Sequence, residues 1–403
     1  MKAIHTGDWH IGKTLHGMER SDEHLNFLTQ LCSIINREKP DVLIVSGDIY
    51  DSVAPSIASQ RLYNRMLLQL HATQPAMKIV IVAGNHDSSS RLELNGELWN
   101  AFDVTIVGNI ERNDDEVNYE KHIIGINDND GHPCCYIIAL PYIYHANYPS
   151  VGNNAEQSKM QQFHQKLIDI VSERNSLNLP VIMTGHLALS GSDIRGHESK
   201  HTHLIYENIE EFGNGYDYLA LGHIHHPQFV EGRENARYAG APFAMNFDED
   251  YPHSVSIVEI DAHSATPKVR ETEIIPLIPL YTIPEEGGTI EEVLQAIDNL
   301  PDGKSYVRIK LKVDDVIPMH DRRLIEDKFT AIRAELCEIY PVRTQSETKE
   351  ENAHMADMRQ CSPAEIAMDY YRRQFGNEMD DELKQMLLAS IEQAEQRINE
   401  EKA

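Results

Sequence analysis

Five short runs rich in Val, Ile, Leu and Ala recur along the front of the chain: Met1 to Thr6, Val42 to Ser46, Ile79 to Ala83, Val181 to Thr184 and Tyr218 to Leu221. Runs this short and this rich in apolar residues predict strands buried on both faces. Between them the chain predicts helices over Glu23 to Asn36 and Ile57 to Leu70, giving the β-α alternation of a layered α/β fold. Residues 109 to 131 are polar and acidic, and Asn129-Asp130-Gly131 ahead of an apolar run from Cys135 to Leu140 predicts a hairpin turn.

The pattern changes after about residue 275. Pro276, Pro279 and Pro284 mark an extended link, and Thr289-Ile290-Glu291-Glu292 is a capping box that opens a helix towards Leu300. After Pro301-Asp302-Gly303, Val307, Ile309, Leu311 and Val313 alternate with Arg308, Lys310 and Lys312, which predicts a strand with one apolar and one cationic face. A helix is expected from Arg322 to Leu336. From Ser346 onward acids outnumber bases two to one, and residues 346 to 361 have the composition of a solvated linker. Ser362-Pro363-Ala364-Glu365 then supplies a cap, a first-turn proline and an acid for a helix that Gly376 can end. A second helix is expected from Asp381 to Asn399, with Leu383, Met386, Leu387, Ile391, Ala394 and Ile398 on one stripe. Three parts result: residues 1–275, 276–345 and 346–403.

Each of the five front runs ends in residues able to hold a metal. Asp8-Trp9-His10 follows the first, Gly47-Asp48-Ile49-Tyr50-Asp51 the second and Gly84-Asn85-His86-Asp87 the third. Gly185-His186 closes the fourth and Gly222-His223-Ile224-His225 the fifth. Ligands of layered α/β folds bind outside the carboxyl ends of strands, so five separate stretches would converge on one place. Asp8 and His10 are two apart, as are His223 and His225, so each pair can leave one side of an extended segment. Imidazoles mixed with oxygen donors suit manganese, iron or zinc better than magnesium or calcium alone. The residues do not choose among those three.

In this order the stretches resemble the calcineurin-like metallophosphoesterase superfamily, whose pattern runs D-x-H, G-D-x-x-D, G-N-H-[DE], G-H, G-H-x-H. Within it the chain is similar to the SbcD-type DNA repair nucleases. That narrower likeness rests on His5-Thr6-Gly7-Asp8-Trp9-His10-Ile11-Gly12 and on Asp48-Ile49-Tyr50-Asp51 followed by Pro55-Ser56. Tyr218-Leu219-Ala220-Leu221-Gly222-His223-Ile224-His225, Tyr238-Ala239-Gly240-Ala241-Pro242 and Phe247-Asp248-Glu249 extend it. Ala241 departs from the pattern, which has Ser there, and affects local loop contacts only. Two other branches fit less well: purple acid phosphatases carry a tyrosine ligand where this chain has Asp51. Phosphoprotein phosphatases have Arg-Gly after that position and Glu at the end of the third motif, where Ser52-Val53 and Asp87 stand here.

The resemblance implies an α/β fold, a β-sandwich with flanking helices, followed by a small α/β capping domain and a C-terminal helical tail. It implies that Asp8, His10, Asp48 and His225 hold one divalent ion and Asp48, Asn85, His186 and His223 the other, with Asp48 bridging. Manganese is the foremost metal, with iron, zinc and magnesium admissible. His86 would give a proton to the leaving 3′ oxygen or stabilise the transition state, and Asp51 and Asp87 would align a histidine or a turn amide behind the ligands. The implied activity is 3′ to 5′ exonuclease action on duplex DNA and endonuclease action on single strands and hairpins. Implied partners are DNA, an SbcC-type coiled-coil ATPase on the C-terminal helices, and a second copy of the chain, hence a homodimer and a heterotetramer with the ATPase. Arg308, Lys310 and Lys312 are candidate DNA contacts of the capping domain, with a merely solvated strand face as the other reading. A small-molecule or cyclic-nucleotide phosphodiesterase and a non-catalytic metal scaffold are the competing functions.

Composition changes this picture in two places. The formal charge of -28 is unusual for a DNA enzyme, whose nonspecific affinity comes mainly from Lys and Arg on phosphates. Two divalent ions would add about four positive charges where a phosphate must sit, and the remaining deficit implies local DNA contact or contact shared with a partner. The five cysteines, Cys32, Cys134, Cys135, Cys337 and Cys361, are odd in number and form no C-x-x-C pair, which argues against a disulfide framework. No stretch approaches a membrane span and the chain enters a strand at once, so a cytoplasmic protein is expected, at the nucleoid when acting on DNA. A length of 403 residues with 41% hydrophobic residues suits a multi-part chain with a substantial core.

Overall fold

A computed structural model describes residues 1–113, 116–151, 157–196 and 206–343, with Tyr371, Leu383 and Lys384. The chain enters β1 (Lys2–Thr6), crosses over α1 (Ser21–Glu38) to β2 (Val42–Ser46) and over α2 (Ile57–Thr73) to β3 (Lys78–Val82), then reaches β4 (Val104–Val107). A second sheet opens with β5 (Ile123–Asn127) and β6 (Pro133–Ile138). Helix α3 (Lys159–Arg174) leads to β7 (Val181–His186), β8 (Tyr218–Gly222), β9 (Gln228–Phe229) and β10 (Ala236–Tyr238). The chain then returns to the first sheet as β11 (Ser254–Glu259) and β12 (Lys268–Glu273).

The sheets are ordered β12-β11-β1-β2-β3-β4 and β9-β10-β8-β7-β6-β5. All five apolar runs of the sequence lie in parallel pairings at sheet centres. Each such strand is covered on both faces, which explains its high apolar content, and in β1 the buried His5 is satisfied by Tyr218 and Ser46. Val42, Ile44, Val80 and Val82 pack inward with Ile137, Ile182, Tyr218 and Ala220 of the other sheet. Leu43, Val45, Ile79 and Ile81 face outward onto Phe27, Leu31, Met66 and Leu67 of α1 and α2. Met183, Leu219 and Leu221 face outward onto Phe163, Leu167 and Val171 of α3. The result is a sandwich of two sheets between helices, and burying each such side chain contributes about 1.5–3 kcal/mol.

Local chemistry sets the element ends. Ser56 caps α2 by accepting the Ser59 amide at 3.0 Å, and Lys39, in the left-handed region at φ 49, ends α1 with its amide on Ile35 O. The hairpin between β5 and β6 forms as expected, with Asp128 Oδ1 accepting the Asp130 and His132 amides at 2.9 Å each.

Past residue 275, β13 (Leu280–Gly288), α4 (Ile290–Asp298), β14 (Tyr306–Val313), α5 (Met319–Phe329) and β15 (Glu335–Arg343) make a three-stranded sheet with two helices. The Thr289/Glu292 capping box opens α4 as read from the sequence. The helix expected over Arg322 to Leu336 starts earlier and stops at Phe329, and the residues from Glu335 form a strand instead. Pairing with β14 wins there over local helical preference: the Glu335 amide donates to Ser305 O at 2.7 Å and Ala334 is buried. Met1–Lys310 with Met319–Tyr340 make one compact unit, and Leu311–Pro318 with the chain from Pro341 belong to another. The acidic linker and the two expected C-terminal helices lie outside the described residues, apart from Tyr371, Leu383 and Lys384.

Candidate metal centre

The segments following β1 and β2 stay paired beyond their strands. Asp8 N–H donates to Gly47 O at 3.0 Å, His10 N–H to Asp48 O at 3.0 Å and Ile11 N–H to Ile49 O at 2.9 Å. Asp8, His10 and Asp48 take left-handed backbone conformations, with φ of 52°, 46° and 49°, and His223 sits at φ 95°. The segment carrying Asp8 and His10 is therefore kinked rather than extended, contrary to the reading from their two-residue spacing. Asp and His enter this region more readily than most residues, at a strain of about 1–3 kcal/mol each that the paired backbone holds in place. Gly47, at φ 94°, has no room for a side chain: a Cβ would lie 2.2 Å from His186 Nδ1. A Cβ on Gly84 would lie 2.1 Å from Asp48 Oδ1.

This backbone brings all seven expected donor residues together. Asp8, His10 and His225 form one group of potential ligand atoms, Asp48, His186 and His223 a second, and His10, Asp51 and His86 a third that shares His10 with the first. A single oxygen of the second group, Asp48 Oδ2, lies 3.6 Å from His10 Nε2 of the first and 3.3 Å from His186 Nε2 of its own. Asn85 Oδ1 lies 3.0 Å from His186 Nε2 and 2.9 Å from His223 Nδ1. His10 Nε2 and His225 Nε2 face each other at 3.1 Å, and beside them Asp8 Oδ2 is buried with no hydrogen-bond partner. Opposed imidazole nitrogens next to an unpartnered carboxylate oxygen fit a cation's donor set, because with the outer nitrogen of His225 turned to Glu249 a neutral ring presents a lone pair inward, and Asp8 Oδ2 stays unsatisfied without a cation.

Groups behind the donors fix their orientation. His186 Nδ1 donates to Ser46 O at 2.7 Å, and His225 Nδ1 lies 2.9 Å from Glu249 Oε1, so in both rings Nε2 is the atom turned inward. Asp87 accepts the Gly84, Tyr50 and Ile49 amides at 2.8, 2.9 and 3.1 Å, tying the second and third motifs together. Asp51 Oδ1 lies 3.3 Å from His10 Nδ1 and 3.5 Å from Lys13 Nζ. His86 is half-buried, with Nδ1 3.0 Å from the Asp51 carbonyl, and its amide donates to Asp48 Oδ1 at 2.9 Å.

Burial and charge pull the titrating groups in opposite directions. Burial opposes the Asp48 carboxylate, but His186, followed by His10 and His86, outweighs it and holds Asp48 well below the usual range. Burial pushes Asp8 up, against the opposing pull of His186 and His225. His186 and His225 are raised to about 9: burial works against them, while Asp48 and Glu249 respectively prevail. Asp87 is raised to about 7 by burial and the neighbouring Asp48 charge, despite its three amides.

The cationic strand face lies apart from this centre in role. Arg308 is bonded to Asp248 Oδ1 at 2.8 Å and to Phe247 O at 3.1 Å, over the Phe247 ring. Lys310 Nζ donates to Glu285 O at 2.8 Å, and Lys312 is exposed. Arg308 thus steadies the loop that carries Glu249. No sequence motif marks a role for Ser46 or Lys13. Glu249 falls within the quoted Phe247-Asp248-Glu249 stretch, which was the only signal for it.

Comparison with known proteins agrees with this geometry. Residues 1–227 match the family profile described as calcineurin-like phosphoesterase, and residues 276–375 match one described as the type 5 capsule protein repressor C-terminal domain. The chain is 31% identical to the SbcD chain of the SbcCD nuclease of Rhodobacter capsulatus, over 74% of this chain and 76% of that protein. It is 26% identical to the SbcD of Escherichia coli K12, over 96% of both chains, and 26% identical to that of Bacillus subtilis, over 95% of both.

Proposed function

Because this chain belongs to the calcineurin-like phosphoesterases and, within them, to the SbcD chains of SbcCD nucleases, we propose that it is a divalent-metal-dependent DNA nuclease of repair and recombination. The observation that supports the chemistry best is the meeting of five strand-end segments in adjoining donor groups, with Asp48 Oδ2 within 3.6 Å of histidines from two of them. In this reading Asp8, His10, Asp48 and His225 hold one ion and Asp48, Asn85, His186 and His223 the other, with manganese as the metal. Two such ions would activate a water and stabilise the attacking and leaving oxygens of an in-line displacement. The chain's own residues do the rest. The Asp51 carbonyl accepts a hydrogen bond from His86 Nδ1 and leaves Nε2 for substrate, where it can donate a proton to the leaving 3′ oxygen. Ser46 and Glu249 set the tautomers of His186 and His225.

The wider reading divides the chain into a nuclease domain over 1–275, a capping domain over 276–345 and a partner-binding tail over 346–403. Substrates are duplex ends, single strands and hairpins in the cytoplasm, at the nucleoid. The cationic face of β14, with Lys312 as its exposed charge, contacts the backbone of DNA. The tail engages the coiled-coil ATPase partner, and two copies of this chain complete a heterotetramer with it. No helix among the described residues is long and apolar enough to cross a membrane. The direct test offers the manganese-loaded protein a labelled DNA strand and a chromogenic phosphodiester side by side. Cleavage of the DNA is expected, and turnover of the small diester alone would remove the nuclease reading.

A further inference from the structure

Two tyrosines lie outside the donor set, Tyr142 at its edge and Tyr144 against Tyr142. They follow β6 in Pro141-Tyr142-Ile143-Tyr144. The Tyr142 ring lies 6.4 Å from that of His186, nearly perpendicular to it at 89°. The Tyr144 ring lies 5.2 Å from that of Tyr142. Tyr142 is half-buried, whereas Tyr144 exposes 65% of its surface. One exposed aromatic is ordinary. This one sits on a segment tied down on both sides. The Tyr142 amide donates to Ala83 O at 2.8 Å, at the end of β3, and the Asn147 amide donates to Tyr144 O at 2.8 Å. Between them the His145 imidazole pairs with the Glu207 carboxylate.

We propose that Tyr144, backed by Tyr142, is a stacking platform for an unpaired nucleobase of the DNA strand being cut, next to the scissile phosphate. The proposal rests on the nuclease reading and deepens it. Every base has a π-face, so a tyrosine ring holds one without regard to sequence. In a duplex the bases are occupied with their neighbours, and a base reaches Tyr144 only from a single strand, a frayed end or a hairpin loop. Such a grip also suits a chain with a formal charge of -28, because stacking needs no cation to neutralise phosphate.

The test uses the full chain with manganese and a single-stranded oligothymidylate carrying one abasic nucleotide, moved position by position past the cut, with products resolved to single-nucleotide length. In the parent, one abasic position beside the cut is expected to raise KM about tenfold, with kcat less affected. In Tyr144→Ala, KM is already raised about tenfold with the base present, and the abasic change adds nothing further. Tyr144→Trp restores the parental sensitivity at that position. An abasic penalty equal in Tyr144→Ala and parent, or no sensitive position at all, overturns the proposal. So does a Tyr144→Trp variant that behaves as Tyr144→Ala. Failure of the nuclease reading itself looks different, since the parent would then leave every oligonucleotide intact.

Discussion

The Glu249 carboxylate is held by the Met245 amide at 3.1 Å and the Asn246 side-chain amide at 3.0 Å, and turns one oxygen to His225 Nδ1. A charged partner on the outer nitrogen makes the inner one a better donor, and removing such a partner typically costs 10–100-fold in metal affinity. Glu249→Gln is therefore expected to weaken manganese binding by about 10–100-fold while the fold survives. Titration calorimetry checks this, and unchanged affinity would show that His225 needs no such support. The donors themselves were legible because each follows its strand within a few residues, where chain order alone brings it to the sheet edge. Glu249 was not, because its partner lies 24 residues earlier and only the tertiary path joins them. The left-handed backbones of Asp8, His10 and Asp48 were hidden for the same reason: they come from pairing between two strand ends.

At the scale of elements, continuous apolarity marked the central strands, and the Thr289 capping box marked α4. Helix α5 ends at Phe329 rather than Leu336, because from Glu335 the chain pairs alongside β14, a contact that local pattern does not reveal. Helix α3 carries a pH-dependent contribution that the sequence did not show. His164 is buried, with Nδ1 on Glu211 O at 2.8 Å, and burial pushes it down to about 4, with nearby His122 adding to the fall. The unfolded chain binds that proton near pH 6.5 and the folded chain only near 4. The neutral ring's contribution is complete above 6.5 and is lost as pH falls towards 4. His164→Gln removes this contribution. Between about pH 7 and 4.5, in chelator, the parent should lose on the order of 2 kcal/mol more unfolding free energy than the variant in urea titrations. Parallel losses in the two proteins would contradict the assignment. On β14, replacing Lys310 and Lys312 with Gln leaves the Arg308 to Asp248 bond in place. DNA affinity should weaken, and the slope of log affinity against log salt should shrink by about 0.9 for each phosphate no longer neutralised. An unchanged slope would mean that this face is only solvated.

For the whole molecule, the two-sheet architecture explains how segments spread from Asp8 to His225 act as one site. Parallel strands at the centre of each sheet end together, and packing of the inner faces through Ile44, Val82, Ile182 and Ala220 sets the two edges side by side. The negative overall charge is compatible with phosphate chemistry there, because divalent ions held by this donor set would concentrate positive charge locally. The central claim is that one carboxylate serves both ions while His86 serves the reaction alone. It is tested most directly by measuring the metal-to-protein ratio and the DNA cleavage rate on the same preparations of parent, Asp48→Asn and His86→Ala. The account predicts that Asp48→Asn loses both metal and cleavage, whereas His86→Ala keeps the parental metal content and falls about 10²–10⁴-fold in rate. A His86→Ala protein cutting DNA at the parental rate, or an Asp48→Asn protein with full metal content, would contradict it.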